Sequence, residues 1–101
     1  MANITQREVF IMEYRRFGNT IYLRLDPKEE ILEEIGKVAK KENIRLAQVT
    51  GLGAINDFTA GVYNTVTKEY HSIQFQGAFE IVSLTGTVTR KDGDVYLHLH
   101  I

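Results

Sequence analysis

From Ile44 to Ile101 apolar residues return at nearly every second position, interrupted only by short groups with turn chemistry. The segments "IRLAQVTGLGAI", "FTAGVYN", "YHSIQF", "FEIVSLTGTVTR" and "DVYLHLHI" each read as a short strand, because successive side chains of an extended chain point to opposite faces. The Asp-Gly pair of "KDGD" favours a tight hairpin turn with positive φ between the last two. Nearer the N-terminus, "REVFIMEYRR" sets Val9 and Ile11 against Phe10, Met12 and Tyr14. "FGN" then reads as a turn, and "TIYLRL" sets Ile21, Leu23 and Leu25 against Tyr22 and Arg24. A first hairpin is expected there.

A sheet with an apolar face needs a cover, and one segment has the period to supply it. In "LDPKEEILEEIGKVAKKEN" the residues Ile31, Leu32, Ile35, Val38 and Ala39 form one stripe at helical spacing, with glutamates and lysines filling the remaining positions. Asp26 can cap the first amides, Pro27 suits the first helical position, and Glu29 follows three residues after the cap. Acidic residues lead and "KKEN" closes, in accord with the helix dipole, and Asn43 suits a left-handed terminator. The expected architecture is α+β, a single helix packed on a largely antiparallel, barrel-like sheet.

Composition narrows the function classes. A chain of 101 residues fits one small domain. Its 44% apolar content belongs to a folded protein rather than a disordered one. With no cysteine there is no disulfide, thiolate metal site or cysteine nucleophile. The N-terminal stretch has no secretory h-region, and no segment approaches the roughly 20 apolar residues of a membrane span. A cytoplasmic protein without membrane partners is expected. Twelve basic against thirteen acidic side chains give a formal charge of −1. The pairs Arg15–Arg16, Lys40–Lys41 and Arg90–Lys91 are scattered among acids, without the dense basic stripe of a nucleic-acid binder.

No complete catalytic set emerges. Gly51 and Gly53 in "GLGAI" lack the third glycine, the lysine and the following helix of a phosphate cradle, and so indicate a bulge or tight corner. Ser72 and Ser83 lie inside strands, outside any nucleophile elbow. Glu80, within "GAFEIVSL", is expected in a structural ion pair. The sharper feature is the closing His98-Leu99-His100. Residues i and i+2 of a strand share a face at ~6.5 to 7 Å, so both imidazoles can meet one divalent metal such as zinc. Two histidines alone leave zinc short of at least one protein ligand. His71 shares a strand face with Ile73 and Phe75 and is expected to be packed.

"VTGLGAI" at 49–55, "GAFEIVSLTGTV" at 77–88 and the closing "HLH" at 98–100, following one helix, together resemble the PPC family, the plants and prokaryotes conserved domain. The resemblance spans nearly all of residues 1–101 as a single domain. It implies an α/β fold around antiparallel sheet, a homotrimer, and the DNA-binding label carried by prokaryotic members. It also implies that His98 and His100 belong to a three-histidine cluster whose third member, in a Gly-Gly-His, would follow Ile101. The chain is thus either a short member or, as expected here, one truncated before the family's last strands. The Arg-Gly-Arg-Pro core of the plant AT-hook is missing from the sequence. The reading that follows is a non-enzymatic oligomeric module with a DNA-binding or regulatory role. Alternatives are a metal-binding protein or metal-dependent enzyme using His98 and His100, and a purely structural trimeric module.

Overall fold

The structure, a computed structural model, describes residues 13–101; the expected pattern of Val9, Ile11, Phe10 and Met12 lies outside the described residues. The elements run β1 (Glu13–Phe17), β2 (Thr20–Arg24), α1 (Ile31–Lys41), β3 (Ala47–Asn64), β4 (Glu69–Lys91) and β5 (Asp94–His100). They make a two-stranded sheet β1-β2 and a three-stranded sheet β3-β4-β5. One helix packed against antiparallel strands is the expected α+β class. The barrel-like closure is not found: among the described residues both sheets are open. β1 and β2 pair only with each other, and β5, with seven residues, is far shorter than the 23 residues of β4.

The several short strands expected after residue 44 are instead two long ones. "IRLAQVTGLGAI" and "FTAGVYN" merge into β3, and "YHSIQF" and "FEIVSLTGTVTR" into β4. The glycines and polar residues that read as turns are sites of irregular pairing, where the register shifts between Gly51 and Gly53 and between Ile55 and Asp57. The first shift sets Val82 and Ser83 opposite Leu52 alone, and the second sets Gly77 and Ala78 opposite Asn56. An extra residue in one strand bends it without ending it. Gly53 and Gly77, at φ of 137° and 141°, hold backbone shapes that side-chain-bearing residues rarely adopt.

The described residues divide into two compact units, 13–45 with 89–97, and 46–88 with 98–101. In the first, the β1-β2 hairpin turns at Gly18, φ 62°, with Phe17 paired to Thr20. The helix starts later than the sequence suggested. Lys28 has φ of 76°, so residues 27–28 form a turn. Glu29 still reaches back to accept from the Asp26 amide at 2.6 Å, as in a capping box, but it closes that turn. The N-cap is Glu30, whose carboxylate accepts from the amides of Leu32 and Glu33. At the other end Asn43 is left-handed, φ 52°. The amides of Asn43 and Ile44 donate to the carbonyls of Lys40 and Ala39, a Schellman closure.

The buried stripe of α1 also shifts. Val38 and Ala39 are buried as expected, whereas Leu32 is 46% exposed and Glu34 only 8%. Lys37 keeps Glu34 tolerable at that depth by donating to its carboxylate at 3.0 Å, which in turn raises the lysine's pKa. Glu42, just past the helix, ties it to β1: Tyr14 Oη donates to Oε2 at 2.8 Å and Arg16 Nη1 to Oε1 at 3.0 Å. Arg16 chiefly, then Tyr14, hold the Glu42 carboxyl below its usual range, while the bond to Glu42 raises Tyr14 above its own. In the same unit Arg90 Nε donates to the Ile44 carbonyl at 3.0 Å, and the 92–93 turn has positive φ at both residues, as "KDGD" predicted.

Candidate functional site

The second unit holds the histidine pair. Gly86 fixes where β5 lies on β4: a Cβ built there would overlap the His98 carbonyl oxygen and stand 2.8 Å from Leu99 Cα. Gly86 therefore faces Leu99, and antiparallel alternation puts Thr87 beside His98 and Thr85 beside His100. Across β4, Thr87 pairs with Gln48 and Thr85 with Thr50. Three strands thus contribute one row each of polar side chains to a single exposed face: Gln48 and Thr50, Thr85 and Thr87, His98 and His100. The alternate positions, Val49, Leu84, Val88 and Leu99, are more enclosed.

His98 and His100 converge. Their Nε2 atoms are 3.1 Å apart, with ring centroids at 4.9 Å and planes at 67°. In the neutral pair one ring nitrogen donates and the other accepts, according to tautomer. The separation also suits a metal. Nitrogens bound to tetrahedral zinc at ~2.0–2.1 Å stand about 3.3 Å from each other. The donor chemistry thus fits two adjacent coordination positions. The described residues contain no group of three His, Asp or Glu side chains placed to hold an ion, so the remaining positions need donors from beyond this cluster.

The other singled-out residues lie elsewhere. His71 pairs with Val62 far along the β3-β4 hairpin, exposed rather than packed, with Nε2 3.7 Å from Glu69 Oε1. Glu80 pairs with Ala54 and is exposed, and it is absent from the ion pairs among the described residues. Gly51 and Gly53 mark a register shift, in keeping with a bulge.

What the sequence did not single out is the exposed apolar surface of this same unit. Leu52 is 88% exposed and Val82 97%, facing each other across the bulge. Leu52 lies two residues from Thr50 on the histidine face. Farther along the hairpin, Phe58 stacks on Phe75 at 5.2 Å, and Ile73, Val62 and Val66 lie open to solvent. Among the described residues only Val38, Ala39 and Val88 are buried apolar side chains. The alternation that revealed the strands says that a face is apolar; it does not say what covers it.

The model of the Plants and Prokaryotes Conserved (PCC) domain matches residues 12–101. Among solved structures, a candidate DNA-binding protein from Bacteroides thetaiotaomicron is 32% identical at a TM-score of 0.84, over 89% of this chain and 63% of that one. A plant- and prokaryote-conserved (PPC) protein from Pyrococcus horikoshii is 32% identical at 0.71, over 88% and 60%. A metal-containing protein from Archaeoglobus fulgidus shares the fold at 22% identity and 0.69, over 88% and 56%. The chain therefore spans less than two thirds of each of these proteins. No curated protein matches.

Proposed function

Because the chain belongs to the Plants and Prokaryotes Conserved (PCC) domain family, we propose that it works as a non-enzymatic, oligomeric module, a homotrimer, with a DNA-associated regulatory role. The observation that carries this is the bare apolar surface of the β3-β4 hairpin, above all Leu52 and Val82, beside only three buried apolar side chains among the described residues. Contiguous exposed apolar patches mark association surfaces. A symmetric assembly of identical chains also covers open sheet edges.

The DNA association follows the names of relatives such as the Bacteroides protein. Charge does not favour direct phosphate contact. Arg16 and Arg24 lie in ion pairs with Glu42, Glu13 and Asp26, and Lys37 with Glu33 and Glu34. Arg90 is bonded to backbone carbonyls. Contact with phosphate therefore falls to other basic side chains, Arg15, Lys40 and Lys41 among them. Sedimentation of the chain, followed by duplex titration at several salt concentrations, tests it. A trimer with duplex affinity that falls steeply with salt supports the reading. A trimer indifferent to DNA leaves the purely structural module, and a monomer removes the proposal.

A second reading rests on the 3.1 Å approach of the imidazoles: His98 and His100 supply two ligands of a zinc-like site. When bound, such an ion supplies a Lewis-acidic centre. The residues of this chain hold it on the face flanked by Thr85 and Thr87. Elemental analysis of the chain and of a His98→Ala, His100→Ala double variant tests it.

A further inference from the structure

We propose that the outer face of the β1-β2 hairpin binds single-stranded DNA by stacking unpaired bases on Phe17 and Tyr22; this rests on the DNA-associated reading above. A two-stranded ribbon has two faces, and its register sorts the side chains between them. Tyr14 and Arg16, opposite Leu23 and Ile21, lie on the face that bonds to Glu42 at the end of α1. Glu13, Arg15 and Phe17, opposite Arg24, Tyr22 and Thr20, lie on the other. That outer face carries two open rings: Phe17 is 62% and Tyr22 69% exposed. They meet edge to face, with centroids 6.0 Å apart and planes at 72°. Such a pair staples the hairpin but uses one π-face of one ring. Each ring therefore keeps a π-face for a planar partner.

Charge selects an unpaired, phosphate-linked base as that partner. Arg15 stands directly across from Tyr22, so a guanidinium suited to phosphate lies one cross-strand step, ~5 Å between Cβ atoms, from the ring. Glu13 and Arg24 cancel at 3.1 Å, with Asp26 also on Arg24 at 3.5 Å. That leaves Arg15, absent from the ion pairs among the described residues, as the net charge of the face. An open depression of about 350 Å3 lies here, lined by Glu13, Tyr14, Arg15, Tyr22, Leu23 and Arg24, a size in the range of small-ligand sites. A duplex fits this face poorly. Its base faces are already stacked on one another, and one arginine beside a neutralised carboxylate is little charge for two phosphate backbones. Exposed sheet aromatics with arginine beside them suit a single strand, whose bases are free to stack.

The probe is a labelled oligothymidylate of about twelve nucleotides, within the usual span of single-strand sites, titrated with the full chain by fluorescence anisotropy beside a duplex of the same length. The single strand is expected to bind more tightly than the duplex. Phe17→Leu and Tyr22→Leu keep apolar cover on the hairpin but remove the rings. Each is expected to weaken single-strand binding roughly 5- to 150-fold, with circular dichroism unchanged. Tyr22→Phe keeps the ring and retains binding. Arg15→Gln lowers the slope of log affinity against log salt by about 0.7, the share of one single-strand phosphate. A duplex bound as tightly as the single strand, or leucine variants that bind as the parent does, overturns the stacking face and leaves the DNA-associated reading standing. Binding to neither form overturns both.

Discussion

Gly86→Ala tests the register on which the histidine pair depends. Non-bonded carbon atoms settle at about 3.5–4.0 Å. A Cβ at position 86 would stand 2.7 Å from Leu99 Cδ2 and 2.8 Å from Leu99 Cα, and would overlap the His98 carbonyl oxygen. The leucine methyl can rotate away; the two backbone atoms cannot. Strand β5 must therefore move off β4 by about 1 Å, which breaks the geometry of its ladder. Overpacking of this kind costs roughly 1–3 kcal/mol. Because backbone atoms take the clash, the upper end, about 3 kcal/mol, is expected. For a domain of this size that lowers Tm by about 12–24 °C. Urea unfolding followed by far-UV circular dichroism, at one fixed chain concentration, gives the change from the midpoint at constant m. Zn2+ titration of the same variant should show weakened binding, since His98 moves with its carbonyl. A variant within about 0.5 kcal/mol of the parent, inside the scatter of ordinary surface substitutions, would refute the proximity of Gly86 to Leu99.

Gly36→Ala should act in the opposite direction. The new methyl meets only Leu97 Cδ1 at an ordinary 4.0 Å, and the helix gains up to about 1 kcal/mol in thermal melts. Val38→Ala, at a buried position, removes two methyl groups and should cost about 1–2 kcal/mol in urea unfolding. Glu42 gives a pH signature. Its folded pKa lies below the unfolded one, so its contribution is complete above the ordinary carboxylate range and is lost as pH falls through the lowered value. Glu42→Gln should flatten that part of an acid titration of stability. Tyr14 is the reverse case: with its pKa raised, its contribution is present below the unfolded tyrosine value and lost as pH rises through the folded one. Tyr14→Phe should flatten the alkaline limb.

Local signals in the sequence were legible where short-range chemistry decides the outcome. The 92–93 turn, the left-handed Asn43, the β1-β2 hairpin and the glycine bulge all follow from the conformational reach of one or two residues. The helix starts later than its capping signals suggest because Asp26, Pro27 and Glu29 also serve a turn. Only the positive φ of Lys28 distinguishes the two outcomes, and a lysine gives no advance notice of it. The long strands look like several short ones in sequence because Asn, Asp and Gly punctuate bulges as well as turns. Of the candidate site, the i, i+2 spacing of His98 and His100 was enough to place both rings on one face. The flanking Thr85, Thr87, Thr50 and Gln48 depend on strand pairing, which alternation within one segment does not encode. Leu52 and Val82 read as ordinary strand residues, and only the absence of any covering element among the described residues reveals them as an open surface.

The most direct measurement is sedimentation equilibrium of the full chain over a wide concentration range, beside Leu52→Glu and Val82→Glu. The parent is expected near three times 11.5 kDa at high concentration, with both variants shifted toward monomer and unchanged in circular dichroism. A parent that remains at 11.5 kDa throughout, or variants that assemble as the parent does, would contradict it.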